Sequence, residues 1–307
     1  MPEYKSGLEQ ILESGSFAVC SEMGPPMNAN ISVIKEKADI LRGYTDAVNI
    51  TDNQTAVVRM SSIAAAFIAK ENGLEPVMQI TCRDRNRIAI QSDVLGAGGL
   101  GIRNVLCLTG DHQTFGNDPG SKNVFDLDSV QLIKCINGMT EGRFMNGKEI
   151  KFPPTMFIGG AYNPFGDPQE MHMIKLIKKI NAGMKFIQTQ AIYNVDIFEE
   201  WMKEIRRLGI HKKVHILAGI LPTKSPKALR MMQTNVAGMN VPDEIITRME
   251  KCDDPAKEGV RMTVEIIERV RNIEGVSGIH LMPVGWEQIT PTVVREAGLY
   301  PRPEVNL

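Results

Sequence analysis

The sequence predicts a (β/α)8 barrel that occupies the chain as a single domain, residues 1–307. Short apolar runs, each the length of a strand buried on both faces, alternate with helical patterns along the chain. The runs start near residues 17, 47, 77, 105, 155, 186, 214 and 278, mostly at the spacing of about thirty residues that one strand–helix unit needs. Eight consecutive units favour a closed barrel whose strand ends face one pocket, and a doubly wound open sheet is the alternative.

The first half of the chain contains four of the predicted strands, at Phe17–Ser21, Asp46–Ile50, Pro76–Ile80 and Val105–Leu108. A short helix at Lys5–Ser14 precedes them and carries Leu8, Ile11 and Leu12 on one face. We expect this helix to cover the bottom of the barrel. Further helices are predicted at about 32–42, 61–72 and 87–95.

The glycine-rich segment Gly96–Gly101 resembles a dinucleotide-binding motif only in composition. That motif requires a strand, then the glycines, then a helix. Here the glycines follow a predicted helix and precede a predicted strand. We therefore expect them to form a loop.

The second half of the chain contains the other four predicted strands, at Thr155–Gly159, Phe186–Thr189, Val214–Leu217 and Ser277–Leu281. Helices are clearest at about 169–182, 195–208 and 256–273, the last preceded by an acidic linker. An insertion separates strands four and five. It comprises a loop at Gly110–Asn123, a helix at about 127–137 and a hairpin around Asn146-Gly147, and such a loop is suited to cover a ligand.

The composition excludes several classes of protein. With 35 basic and 36 acidic residues, the chain carries no electrostatic signal for nucleic acid or an anionic membrane. The five cysteines are scattered without a C-x-x-C pair, which argues against a metal or iron–sulfur site and indicates a reduced, cytoplasmic protein. No run approaches the roughly 18 apolar residues of a membrane span, and the N-terminus does not resemble a signal peptide.

Polar side chains are predicted to gather where the strands end. Val105–Leu108 is followed by Gly110, which permits a sharp turn, and by Asp111, for which a simple Asx turn is the alternative interpretation. The chain has no Ser–His–Asp order and no H-E-x-x-H motif, and His280 falls inside strand eight, where we expect a satisfied core histidine. Carboxylates and amides without a metal cage or a nucleophile suggest that a bound organic cofactor performs the chemistry.

An ordered set of motifs resembles the methylenetetrahydrofolate reductase family of flavin-dependent barrels. The motifs are Glu22 with Pro25-Pro26, Thr51, Leu108–Asp111, Ala161-Tyr162, Asn181–Gly183, Thr189-Gln190 and Gly219–Pro222. Each motif is short, but together they span nearly the whole chain in order. The resemblance implies that 5,10-methylenetetrahydrofolate is reduced to 5-methyltetrahydrofolate by hydride transfer from reduced flavin.

The resemblance also implies catalytic roles. Glu22 matches the general acid that protonates a folate nitrogen, a task that needs a carboxyl group still protonated near neutral pH. Asp111 matches the aspartate beside the flavin and the pterin, and Gln190 matches the glutamine that hydrogen-bonds the pterin. Trp286, after strand eight, offers either a stacking face for the folate or a packing side chain.

The flavin-binding positions are likewise carried by the resemblance. They are Thr51, Gln79, Thr109, Gly110, Asp111, Phe125, Asp126, Gly160, Tyr162 and Lys179. Thr109 replaces an arginine that contacts the pyrophosphate in relatives. Gln79 stands where many relatives have histidine, and His172 stands where an acidic residue often contacts the adenosine end. FAD is the family expectation, and loss of the bidentate arginine makes FMN the alternative.

The electron donor and the assembly stay open at this point. NADH or NADPH would have to share the folate site, because the chain has no separate Rossmann motif; a partner subunit with iron–sulfur clusters is the other donor. Barrels of this type commonly self-associate. Two other functions remain: a pterin-binding barrel that passes a methyl group to a corrinoid, and a non-catalytic barrel subunit of a larger complex.

Overall fold

The computed structural model, which describes residues 6–236 and 238–305, contains a closed barrel of parallel strands in sequence order. The strands are β1 Ala18–Met23, β2 Ala47–Ile50, β3 Pro76–Thr81, β4 Asn104–Leu108, β5 Phe157–Tyr162, β6 Phe186–Ala191, β7 His215–Ile220 and β8 Gly278–Leu281. Cys20 of β1 pairs with His280 of β8, and this pairing closes the barrel. The predicted fold class is confirmed, and the open-sheet alternative is wrong.

The helices surround the barrel and connect its strands. Their bounds are α1 Gly7–Glu13, α2 Ser32–Leu41, α3 Ser62–Glu71, α4 Arg87–Gly99, α5 Ser129–Thr140, α6 Gln169–Asn181, α7 Val195–Arg207, α8 Pro226–Asn235, α9 Asp243–Lys251, α10 Pro255–Arg271 and α11 Thr290–Glu296. Residue 5, the predicted start of the first helix, lies outside the described residues. Within the described part of the chain, no helix is both long and apolar enough to span a bilayer.

Capping side chains explain where several helices begin. Asn86 caps α4, Asn194 caps α7 and Asp254 caps α10, each by accepting hydrogen bonds from backbone N–H groups of the first turn. Asp128 and Gln131 form a reciprocal capping box at the start of α5. Each cap stabilises its helix by about 1 kcal/mol.

Gly96, Gly98 and Gly99 are helical, contrary to the predicted loop. α4 continues through Gly99 and ends before Gly101, whose φ is +76°. A Cβ at Gly98 would lie 2.8 Å from Cβ of Pro154. The small residues therefore let the helix approach the segment before β5, and this close packing compensates for the low helix propensity of glycine.

The predicted acidic linker before the long helix contains α9, so the prediction of a linker is wrong. α9 buries Ile246 and Met249, which explains why it packs as a helix. Its Arg248 forms ion pairs with Glu258 and Glu265 of α10, so the acidic residues of this region stabilise a helix contact. The charge pattern alone did not indicate that contact.

The inside of the barrel is built in two layers because successive strand residues point to opposite faces. The lower layer is apolar, and Leu8, Ile11 and Leu12 of α1 pack against it from below, as predicted. It consists of Ala18, Cys20, Ala47, Val77, Leu106, Phe157, Phe186 and Leu217. Polar residues such as Glu22, Gln79 and Gln188 follow two positions later on their strands and form the upper layer.

The insertion between β4 and β5 has the predicted parts. α5 is present, and an antiparallel bridge joins Arg143 to Glu149 around the turn at Gly147, whose φ is +84°. The loop that begins at Gly110 packs against the segment after β2, since Oδ1 of Asn117 accepts a hydrogen bond of 2.9 Å from the backbone N–H of Val58. The loop is therefore held against the segment after β2 at the carboxyl end of the barrel.

Candidate active site

A cavity of about 390 Å³ lies at the carboxyl ends of the strands. Many of the predicted site residues line it: Glu22, Gln79, Gly110, Asp111, Tyr162, Lys179 and Gln190. The upper polar layer of the barrel forms its floor, and the loops after β2 and β4 form part of its wall. The position agrees with the general location of active sites in (β/α)8 barrels.

Glu22 projects from β1 into the cavity, and its side chain is only 11% exposed. Oε1 of Glu22 accepts a hydrogen bond of 3.2 Å from Nε2 of Gln54. Oε2 lies 3.7 Å from Nε2 of His280, which faces it from β8. Each carboxyl oxygen of Glu22 therefore has one nitrogen-bearing side chain beside it.

His280 is not the satisfied core histidine that its place in strand eight suggested. Its side chain lines the cavity and is buried, and Nδ1 has no hydrogen-bond partner among the described residues. The register explains the orientation, because His280 pairs with Cys20 of β1 and with Gly219 of β7, which also lie on the inner face. That interpretation of His280 is wrong.

Asp111 lies at the exposed rim of the cavity. Its Oδ2 accepts a hydrogen bond of 3.1 Å from the backbone N–H of Thr55, and its carbonyl oxygen accepts one of 3.1 Å from Nη1 of Arg83. Gly110 has a φ of +92°, and a Cβ there would lie 2.9 Å from Cβ of Arg83. The turn that presents Asp111 therefore requires glycine, as the sequence predicted.

A strained segment after β2 binds both candidate carboxylates. Asn53, Thr55 and Ala56 have φ values of 47°, 53° and 58°, in a region that side chains disfavour. Asn53 holds the segment, because its Oδ1 accepts a hydrogen bond from Arg59 and its carbonyl oxygen accepts one from Arg83. Gln54 and Thr55 from this segment supply the contacts to the two carboxylates, so the strain is located at the candidate site.

Gln190 reaches the cavity from an irregular part of β6. Gln188 pairs with Leu217, but the next pairing joins Ala191 to Gly219, so β6 contains one residue more than β7. Oγ1 of Thr189 accepts a hydrogen bond of 2.8 Å from the backbone N–H of Gly219 and stabilises this bulge. A bulge re-aims side chains, and here Gln190 is part of the cavity wall.

The wall opposite β1 is basic and aromatic. Nζ of Lys179 donates a hydrogen bond of 2.6 Å to the carbonyl oxygen of Ala161. Burial, with a smaller effect of Lys175, lowers the pKa of Lys179 to about 8. Tyr162 stacks on Trp201 with ring centroids 5.1 Å apart, and burial raises the pKa of its hydroxyl. Such a wall suits a ligand with an anionic group and an aromatic ring system.

The other predicted site residues lie outside the lining of this cavity: Thr51, Thr109, Phe125, Asp126, Gly160 and Trp286. Asp126 accepts hydrogen bonds from the backbone and the guanidinium of Arg87, which lower its pKa to about 2. A Cβ at Gly160 would lie 2.7 Å from Sδ of Met184. Asp126 and Gly160 thus have structural contacts, and their proposed roles toward a flavin stay predictions.

The sequence analysis missed several residues of the cavity. Gln54, Arg83, Lys175 and His280 all line it. Arg83 is almost fully buried and pairs with Asp84 through Nη2 at 2.6 Å. The signal for His280 was its place two residues after the inward-facing Gly278 at the start of β8. Gln54 and Lys175 lie on a turn and a helix, where no alternation indicates the inward face. Among the described residues, no group of three or more His, Cys, Asp or Glu side chains is arranged to hold a metal ion.

The fold and the site define a (β/α)8 barrel of the enzyme type, with carboxylates and amides in a cavity at the carboxyl ends of its strands. The chain belongs to the methylenetetrahydrofolate reductase family, whose sequence model matches residues 7–298. A probable methylenetetrahydrofolate reductase (NADPH) of Caenorhabditis elegans is 24% identical over 256 residues, which are 81% of this chain and 36% of that protein. Methylenetetrahydrofolate reductase (NADH) 1 of Arabidopsis thaliana is 23% identical over 317 residues, 97% of this chain and 51% of that protein.

The chain spans about half the length of these curated relatives, or less. A solved structure supports the fold: an uncharacterized protein from Clostridium thermocellum, described as binding two copies of 5-methyl-5,6,7,8-tetrahydrofolic acid. It superimposes with a TM-score of 0.65 at 15% identity and covers 95% of this chain and 98% of its own. At this identity, the likeness concerns the barrel architecture.

Proposed function

We propose that this protein is an oxidoreductase that reduces 5,10-methylenetetrahydrofolate to 5-methyltetrahydrofolate with electrons from a bound flavin. One observation carries the proposal: Glu22, Asp111 and Gln190, which the family resemblance implies as catalytic, converge on a single cavity. They come from the ends of β1, β4 and β6, which are far apart in the sequence. Family membership over residues 7–298 supports the same activity.

The residues present fit a flavin. The cavity volume of about 390 Å³ lies within the roughly 300–1,000 Å³ typical of cofactor sites. Gln79 offers amide hydrogen bonds, and Lys175 and Lys179 offer positive charge for a phosphate. When bound, the flavin supplies the hydride. Thr109, which is exposed, stands where relatives have an arginine that contacts the pyrophosphate. Without that bidentate donor, FAD and FMN are both candidates, with FAD the family expectation.

The side chains of the cavity have distinct tasks in this proposal. Glu22 gives its proton to a folate nitrogen, so that the five-membered ring opens. Gln190 hydrogen-bonds and orients the pterin. Asp111 favours the cationic form of the opened substrate by its negative charge. The electron donor is NADH, NADPH or an iron–sulfur partner subunit, and the free cysteines suit a reducing compartment such as the cytoplasm.

The first prediction tests this activity by separating its two half-reactions. The protein is reconstituted with FAD or FMN, reduced anaerobically, and mixed with 5,10-methylenetetrahydrofolate. We expect the flavin absorbance to return while 5-methyltetrahydrofolate forms. Glu22→Gln should leave flavin reduction intact and slow the folate step by roughly 10²- to 10⁴-fold, the usual contribution of a positioned acid.

The other outcomes identify the competing functions. Unchanged folate turnover in Glu22→Gln would remove Glu22 from the role of acid. A protein that binds 5-methyltetrahydrofolate but no flavin would support a methyl donor to a corrinoid, and binding of neither would support a non-catalytic subunit. Flavin reduction assayed with NADH, NADPH and reduced ferredoxin identifies the electron donor.

A further inference from the structure

The surroundings of Glu22 contain a histidine that the proposed chemistry has not used. Among residues 6–236 and 238–305, His280 is the basic side chain that reaches ion-pair distance of Glu22, with 3.7 Å between Nε2 and Oε2. Two other cations of the cavity, Arg83 and Lys179, have partners of their own. Arg83 pairs with Asp84, and Lys179 donates to the carbonyl oxygen of Ala161.

The burial of His280 indicates which ring nitrogen carries its proton. The side chain is 4% exposed, and Nδ1 has no hydrogen-bond partner among the described residues. A buried N–H group without an acceptor is more costly than a buried lone pair without a donor. The proton therefore belongs on Nε2, and Nε2 is the nitrogen that faces Glu22.

Gln54 completes the arrangement on the other side of the carboxyl group. Its Nε2 donates a hydrogen bond of 3.2 Å to Oε1 of Glu22. With His280 at Oε2, both oxygens of Glu22 face an N–H donor. Such donors stabilise the carboxylate more than the neutral acid, because hydrogen bonds to a charged group are the stronger ones.

We propose that His280, with Gln54 as its counterpart, is a positioning residue that holds Glu22 and stabilises the carboxylate formed when Glu22 gives its proton to the folate. In that step the O–H bond of Glu22 breaks, an N–H bond forms on the folate, and the negative charge remains on Glu22. His280 keeps its own proton, and its Nε2–H, which lies 3.7 Å from Oε2, stabilises the charge on Glu22 electrostatically. This inference rests on the proposed folate reduction, but the pairing of the two side chains is independent of it.

The barrel fixes the backbone position of His280, so little conformational entropy is lost when its ring faces Glu22. Its backbone lies in β8 between β1 and β7, so the ring is delivered by the barrel and not by a loop. Gln54, by contrast, lies in the strained segment that also binds Asp111 through Thr55. The rigid partner and the strained partner thus approach the carboxyl group from opposite sides.

The second prediction is a double-mutant cycle on the folate half-reaction. His280→Leu should slow folate reduction by roughly 10- to 100-fold, because the carboxylate of Glu22 loses the N–H group that faces Oε2, and leave flavin reduction unchanged. His280→Gln, which keeps an N–H near Nε2, should restore most of the rate. In the Glu22→Gln background, His280→Leu should cost less than about 3-fold, because residues that act as a unit are not additive. Full multiplication of the two losses would overturn the proposal.

The matched control is His215, a strand histidine of β7 whose Nε2 lies 3.1 Å from Oε1 of Glu13, away from the cavity lining. His215→Leu should leave both half-reactions unchanged. If it slows folate reduction as much as His280→Leu does, the effect is a general one of strand histidines and the proposal fails.

Nitrogen NMR of labelled histidine tests the pair without any folate chemistry. We expect His280 to carry a proton on Nε2, and we expect Glu22→Gln to shift the His280 nitrogen resonances and not those of His215. An unprotonated Nε2, or resonances unaffected by Glu22→Gln, would overturn the pairing. If the wild-type protein does not reduce the folate but the resonances behave as expected, the proposed function fails and the pair stands.

Discussion

At the scale of single residues, the cavity places its charges at different depths. Glu22 is nearly buried at the floor, whereas Asp111 is exposed to water at the rim. The exposed position explains how one site can hold two carboxylates with different tasks. A buried carboxyl group can carry a proton, and an exposed one can supply a steady negative charge.

The third prediction concerns Asp111. Asp111→Asn keeps an oxygen that can accept the hydrogen bond from Thr55 and removes the negative charge, which opposes an anionic reduced flavin. We expect the midpoint potential of the bound flavin to rise by roughly 10–30 mV and folate reduction to slow by roughly 10-fold. Spectroelectrochemical titration measures the first effect. Asp118→Asn, exposed on the same loop but outside the cavity lining, is the control, and an unaltered potential in Asp111→Asn contradicts the role.

At the scale of elements, the bulge of β6 determines where Gln190 points. Thr189 supports the bulge with its hydroxyl group, which accepts from the backbone of Gly219 and donates 2.9 Å to the carbonyl oxygen of Gln190. Gly219 allows the close approach, because a Cβ there would collide with the carbonyl oxygen of Thr189. A local irregularity between two strands therefore shapes the wall of the candidate site.

The fourth prediction tests that bulge. Gly219→Ala should lower the free energy of unfolding by about 1–3 kcal/mol through overpacking and should weaken binding of 5-methyltetrahydrofolate, since Gln190 is displaced. Thermal unfolding and a binding titration measure the two effects. The control is Gly99→Ala at the end of α4, where a Cβ would have no heavy atom within 4 Å. If Gly219→Ala behaves like that control, the bulge does not depend on glycine.

At the scale of the whole molecule, Glu75, a partly buried acid, connects the N-terminal helix to the bottom of the barrel. Oε1 of Glu75 accepts hydrogen bonds of 2.7 Å from Nδ2 of Asn104 and 3.2 Å from the backbone N–H of Gly7, so it connects α1 to β4. Burial raises the pKa of Glu75 above its ordinary value of 4.5. The hydrogen bonds from Asn104 and Gly7 hold the N-terminal helix and favour the charged carboxylate, whereas burial penalises that charge more strongly.

The fifth prediction follows from that pKa. Between the ordinary and the raised pKa, the native state binds more protons than the unfolded state, so this group's contribution to stability falls as the pH rises. Glu75→Gln keeps an acceptor for Asn104 and Gly7 and removes the charge. We expect the variant to be more stable by about 1 kcal/mol at neutral pH and equal to the wild type well below pH 4.5.

Chemical denaturation at several pH values measures this difference. Glu71→Gln is the control, because Glu71 is exposed beside Lys70 and should change stability little at any pH. A Glu75→Gln variant that is less stable than the wild type at neutral pH would show that the charge of Glu75 contributes to the fold.

Much of the site was predictable because strand alternation is local. The apolar run Val105–Leu108 and the glycine after it indicated where Asp111 emerges, and Glu22 followed from the end of β1 in the same way. The place of His280, two residues after Gly278 on β8, also indicated an inward side chain, but this spacing alone did not show which residue it faces. Gln54 was not predictable, because its position depends on backbone angles that non-glycine residues rarely adopt.

The sequence by itself determined the alternation of strands and helices, the (β/α)8 class and the strand ends that carry Glu22, Asp111 and Gln190. These features depend on the hydrophobicity and backbone preferences of neighbouring residues. Only the tertiary structure decided that His280 faces Glu22, that Gly219 admits the bulge beside Gln190, and that α4 continues through its glycines. Each of these depends on contacts between segments that are separate in the chain: β8 beside β1 for His280, β7 beside β6 for Gly219, and the segment before β5 beside α4 for the glycines.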